Sequence, residues 1–228
     1  MTKHKWKKFS CELKHEDLFR RINLRKFDNN IGFRVNEFGH DFLYATFIEK
    51  IVDVIKVTDP FGVVEENKTI RYCSFDFHLY LLDEFNSIYL LEIIEPPRTV
   101  RSMLNLLQEV LGNIFVEDVS ISLLDFFNSI KKDSPRAKII KIKASSIKIS
   151  KNSQMRVEVD SIDDAYYDFV KFIEFNDYKI DKIKIENPFS KSTAPIEIGA
   201  NGFLNIDESS VDEIRSLILG CQGFAKTC

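Results

Sequence analysis

The chain has 228 residues, 44% of them hydrophobic, with only 8 glycines and 6 prolines. That is enough to bury a sizeable core, and it leaves no room for a low-complexity tail. The formal charge of −3 hides a segregation: residues 1–30 hold nine basic and four acidic side chains, residues 131–151 hold eight against one, and the rest are strongly acidic. No run approaches 18 apolar residues, so no membrane-spanning helix is expected. Cys11, Cys73, Cys221 and Cys228 form no CxxC and no metal-ligand spacing, and read as thiols of a reducing, cytoplasmic setting. The basic start, MTKHKWKKFSCELKHEDLF, lacks the apolar core of a signal peptide, and a terminal Cys228 makes no prenylation box.

In chain order, Leu18, Phe19, Ile22 and Leu24 line either a short helix or a basic strand, and Asp28-Asn29-Asn30 marks a turn. Ile31–Val35 reads as a strand. Residues 42–57 are rich in β-branched and aromatic side chains and favour strand over helix. A turn at Asp59-Pro60-Phe61-Gly62 follows, and Val64–Thr69 reads as a polar loop. Cys73–Leu82 alternates, with Phe75, Phe77, Leu79 and Leu81 on one face and Asp76, His78 and Tyr80 on the other; Ile88–Glu95 returns as its hairpin partner. Val100, Met103, Leu104, Leu107 and Leu111 predict a helix closed by Gly112, and a second helix is expected over Val119–Ile130.

Beyond residue 151 the order is β-α-β-β-α. Met155, Val157 and Val159 alternate on a strand; Ser161 caps a helix buried through Ile162, Tyr166, Phe169, Val170 and Ile173. Tyr178–Glu186 is a strand, and Pro195–Ile206 a hairpin turning at Asn201-Gly202 with positive φ values. Ser210-Val-Asp-Glu213 opens the last helix as a capping box. These elements predict an α+β fold of mainly antiparallel hairpins with packed helices, divided into an N-terminal α+β domain over 1–134 and a C-terminal β-rich α+β domain over 135–228.

Catalytic chemistry is weakly signalled. Asp76, His78 and Tyr80 share a strand face but read as its solvent side. Glu158, Asp160, Asp163, Asp164 and Asp168 could hold Mg²⁺, although capping and a solvated helix face explain them. Asp59, Glu66 and Lys68 resemble a nuclease set, but a polar loop is the wrong setting for it. His4, His15, His40 and His78 never occur at helical metal spacing. No cofactor motif and no metal site are expected.

Lys131–Lys151 is more informative. Ile140, Ile142 and Ala144 share one parity, Ile147 and Ile149 the other, and Lys141, Lys143 and Lys148 fall opposite them. One extra residue at Ser145-Ser146, a β-bulge, would turn both apolar sets to the core and leave a lysine ladder outside. Lys131, Lys132, Arg136 and Lys151 flank it; Lys3, Lys5, Lys7 and Lys8 supply a second basic block. Such ladders suit the phosphates of a nucleic acid, bound with little sequence preference and strong salt sensitivity. They also serve simply to blunt a sheet edge.

The passage FHLYLLDEFNSIYLLEIIEPPRTVRSMLNLL, and the strand, helix, strand and IEIGANGFLNI hairpin before the last helix, resemble the Rex phage-exclusion proteins of lambdoid phages (RexA-like) over residues 70–220. The resemblance implies a cytoplasmic, homodimeric, non-enzymatic protein that binds double-stranded DNA and works with a membrane effector in phage exclusion. The leading expectation is therefore a DNA-binding sensor or adaptor of an anti-phage system. The alternatives are a protein-interaction or immunity module docking an acidic partner, and a metal-dependent nuclease.

Overall fold

The computed structural model describes residues 1–58, 60–62, 64–173, 177–186 and 194–220. Half of the described residues lie in strands and a quarter in helices, which corrects the expectation of a balanced α+β fold with packed helices: the fold is sheet-dominated. Two strands account for much of the difference. β1 (Thr2–Cys11) occupies a segment whose charges blur its alternation. The other is the polar stretch expected as a loop, Val64–Thr69, which is the first part of a 20-residue strand. There each residue meets a cross-strand partner from Thr58 to Asp53, so pairing overrides the weak local preference. The ladders described below within each unit are antiparallel.

The chain divides into two compact units, one of Met1–Lys7 with Glu117–Cys228, the other of Lys8–Val116. The division falls at 7/8 and 116/117.

In the unit of residues 8–116, helix α1 (His15–Leu24) is followed by β2 (Ile31–Phe38), β3 (Phe42–Thr58), β4 (Val64–Asp83) and β5 (Ile88–Ile94), hydrogen-bonded in that order, and then by α2 (Arg101–Leu111). The turn into β2 is held by Asp28, whose Oδ1 accepts from the Asn30 and Ile31 amides at 3.1 and 3.2 Å. Leu43, Ala45 and Phe47 lie opposite Leu79, Phe77 and Phe75 across β3 and β4, and this face packs with Leu18 and Ile22 of α1 and Met103 and Leu107 of α2. Burial of these side chains is the main favourable term of the unit, at about 1.5–3 kcal/mol each. β6 (Ile114–Asp118) follows α2, where no strand was expected.

In the other unit, the start of β1 pairs with β11 (Phe203–Ile206), then β10 (Ile196–Gly199), β9 (Lys179–Ile185), β7 (Ile139–Ser150) and β8 (Ser153–Asp160) follow in that order. Helices α3 (Leu123–Asp133), α4 (Ala165–Ile173) and α5 (Val211–Gly220) belong to this unit; α4 packs on β7 and β8, and α3 on β9 and α5. The expected helix at 119 starts four residues later. The expected α4 stripe is shorter as well: Phe169 and Ile173 are buried, but Ile162 lies before the helix and is 97% exposed. At the β10–β11 hairpin the Gly202 amide donates to the Gly199 carbonyl, and only Gly202 has positive φ, at 79°. The turn is thus a three-residue loop closed by a left-handed glycine rather than a two-residue turn with two positive φ values.

Candidate nucleic-acid interface

The bulge predicted at Ser145-Ser146 is present. Ala144 lies opposite Val157 and Ile147 opposite Met155, so β7 carries one more residue than β8 between those pairs, and Ser146 has φ 58°. Ile142, Ala144 and Ile147 are buried as a result, while Ile149 is 64% exposed, against expectation. Lys141 and Lys143 lie on the opposite face from Ile142 and Ala144.

Register then shows what shares that face. One cross-strand row runs Lys3, Asn205, Glu197, Lys184, Lys141, Asp160; the next runs Lys5, Phe203, then Gly199, Lys182, Lys143, Glu158. Lys3 and Lys5 of the N-terminal block and Lys141 and Lys143 of the 131–151 block, more than 130 positions apart in the chain, therefore stand on one sheet face. Lys182 and Lys184 join them and were missed in the sequence. Their signal was available: the alternation Lys-Ile-Asp-Lys-Ile-Lys-Ile places Lys182 and Lys184 opposite the buried Ile183 and Ile185. The face borders an open groove of about 1080 Å³ lined by Lys5, Lys143, Arg156, Lys182, Asn201 and Phe203, among others.

Carboxylates punctuate the lysines. Lys141 Nζ reaches both Glu158 and, at 3.1 Å, Asp160, and Lys143 Nζ lies 2.8 Å from the other oxygen of Glu158. Lys7 and Lys5 lie 2.7 and 3.4 Å from Asp118, and Lys182 2.9 Å from Glu197. Lys148 stands 3.8 Å from Asp177. Hydrogen bonds from Lys141 and Lys143 hold the Glu158 carboxyl below its usual range, and the bond from Lys7 does the same for Asp118. Burial pushes Glu197 up, but the Lys182 bond and its neighbours outweigh it and the net shift is downward. Much of the acidic cluster considered for Mg²⁺ is spent in this way. Asp168 accepts from Ser161 Oγ at 2.6 Å, and Asp164 accepts from the Tyr166 amide at 3.0 Å, ahead of α4.

The remaining predicted residues lie elsewhere. Lys131 and Lys132 are exposed in the last turn of α3, Lys131 5.3 Å from the Phe127 ring centroid, and Arg136 is exposed in the following turn. Lys151 sits in the exposed turn between β7 and β8, and Lys8 belongs to the unit of residues 8–116.

Asp76, His78 and Tyr80 do not form a bare solvent face. Asp76 accepts from Tyr44 Oη and Thr46 Oγ1 at 2.9 and 2.6 Å; His78 Nδ1 lies 3.1 Å from Glu92 Oε2 and 2.8 Å from Tyr80 Oη. Glu92 is fully buried and Thr46 is 2% exposed. Glu92 escaped the sequence reading because it lies in an otherwise apolar strand, directly opposite His78. The cluster partners a buried carboxylate, which would be costly alone. Glu66 and Lys68 prove to be in a strand, the setting a nuclease would need, but Glu66 bonds Lys56 at 3.0 Å and Asp59 lies outside the described residues. Among the described residues no group of three or more His, Cys, Asp or Glu side chains could hold a metal ion, and no helix is long and apolar enough to cross a membrane. No family model matches the chain, and no curated protein matches it.

Proposed function

We propose that the chain is a non-enzymatic nucleic-acid-binding protein, and that a DNA phosphate backbone lies across the sheet face carrying Lys3, Lys5, Lys7, Lys141, Lys143, Lys182 and Lys184. The observation that carries this reading is the cross-strand pairing of Lys141 with Lys184 and of Lys143 with Lys182. Like charges directly opposite one another destabilise a sheet, and neighbouring carboxylates offset them only in part. A polyanion turns the same pairs into an asset, and the lysines outnumber the carboxylates that share their rows. Lysine donors to phosphate carry no base-reading pattern, so binding is sequence-tolerant. With the Rex resemblance, this supports a sensor or adaptor role in phage exclusion, with a membrane effector and the homodimer as further parts of that reading.

The test is an electrophoretic shift with random duplex at low salt. Lys141→Glu with Lys143→Glu and Lys184→Glu should abolish the shift, while Lys131→Glu with Lys132→Glu, outside the sheet face, should weaken it by less than threefold. Unchanged binding by the triple variant would refute the proposal.

A further inference from the structure

The distal halves of β3 and β4 form a ribbon that the rest of the sheet does not cover. β2 accompanies β3 only as far as Glu49, and β5 accompanies β4 only from Phe77. Lys50 still reaches back, its amide donating to the Asn30 carbonyl at 2.6 Å, so Ile51–Thr58 and Val64–Arg71 pair with one another alone among the described residues, for eight residues each, or about 27 Å. An isolated two-stranded ribbon is marginal in water. This one nevertheless leaves Val52, Val54, Val64 and Ile70 between 46% and 55% exposed on one face, and Ile55 and Val57 57% and 48% exposed on the other. Its outer β4 edge presents unpaired backbone groups, which natural proteins ordinarily blunt.

The edge sequence is Val64-Glu-Glu-Asn67-Lys-Thr-Ile70, every residue of it exposed. Laid antiparallel against itself about Asn67, it sets Glu66 opposite Lys68 of a second copy, and Val64 opposite Ile70, twice by symmetry. All four side chains have one parity and share the face of Val52 and Val54. Sliding the centre by one residue either way sets Glu66 against Glu66 or Lys68 against Lys68, which costs free energy. The self-matching register is thus centred on Asn67. The ribbon also holds comparable numbers of both signs, including the in-chain pairs Lys56–Glu66 and Arg71–Asp53, so it does not repel its own copy.

We propose that the β4 edge Val64–Ile70 is a homodimerisation edge, pairing antiparallel with the same segment of a second copy about a two-fold axis at Asn67. This stands on the ribbon alone and does not depend on the polyanion reading.

In an antiparallel pair, directly opposed Cα atoms lie about 4.5–5.5 Å apart, within reach of a disulfide. Asn67→Cys in the full chain should therefore give a covalent dimer under mild oxidation, whereas Thr69→Cys, displaced from its symmetry mate, should give none above the background of the native cysteines. Light scattering should show Lys68→Glu raising the dimer dissociation constant roughly tenfold, and Glu66→Lys added to it restoring association. A monomeric mass up to about 100 μM, a dimer indifferent to Lys68→Glu, or equal crosslinking through positions 67 and 69 would each overturn the proposal.

Discussion

Lys141 touches two carboxylates at once, and one of them, Glu158, is shared with Lys143. Both lysines are thus held in competition between their own sheet and any phosphate. Glu158→Gln removes the shared acceptor and frees both amines on the proposed face. Duplex affinity should then rise roughly threefold to tenfold at low salt, with the gain fading as salt increases. Stability should barely change, because exposed pairs contribute little; urea midpoints measured beside the binding isotherms separate the two. A fall in affinity would mean that the pairs order the lysines for phosphate rather than occupy them. The lysines themselves were legible in the sequence, but their partners were not. Counting charge within residues 131–151 gives eight bases and one acid, because Glu158, Asp160 and Asp177 lie beyond the window and reach β7 only through the fold.

At the scale of elements, short-range alternation was informative and long-range pairing was not. The β7 bulge followed from the parity change across Ser145-Ser146, and the β4–β5 and β10–β11 hairpins from their turns, because each is decided within a dozen residues. β1 drew no assignment since its partner β11 lies some 200 positions away, and the ribbon of β3 and β4 was cut short since polar residues there are held by cross-strand bonds rather than burial. The β10–β11 hairpin supplies a sharp test. A Cβ at Gly202 would stand 2.3 Å from Val119 Cγ2 and 2.7 Å from the Trp6 carbonyl oxygen, on a residue at φ 79°. Gly202→Ala should therefore destabilise by about 2 kcal/mol or more, the left-handed penalty of 1–2 kcal/mol plus the backbone clash. Trp6, the only tryptophan and fully buried, reports this directly through its emission in urea. Ser146→Gly should do the opposite and stabilise by about 0.5–1 kcal/mol, by relieving a left-handed serine at the bulge.

Across the whole chain a formal charge of −3 coexists with a lysine-striped face, so pH and salt act on binding in distinguishable ways. Glu158 and Asp118 are held below their ordinary range by lysine hydrogen bonds. A carboxyl whose folded value is depressed contributes stability above its unfolded value, near 4, and loses it as pH falls through the lower folded value. Between pH 8 and 5 these two groups therefore stay charged, their lysines stay partnered, and duplex affinity should change little on their account. Below about pH 4 they take up protons, and two effects appear together: the lysines are released to phosphate, and the stability held in the pairs is lost. In wild type, affinity should rise over the last interval before acid unfolding, and Glu158→Gln should show a smaller rise because Lys141 and Lys143 are already freed. Salt gives the independent measure. If phosphate contacts dominate, log K falls linearly with log salt at about −0.9 per contact, and Glu158→Gln should steepen the slope by about one to two contacts. An unaltered slope together with raised affinity would show that the carboxylate acted through net charge at a distance rather than by occupying those two amines.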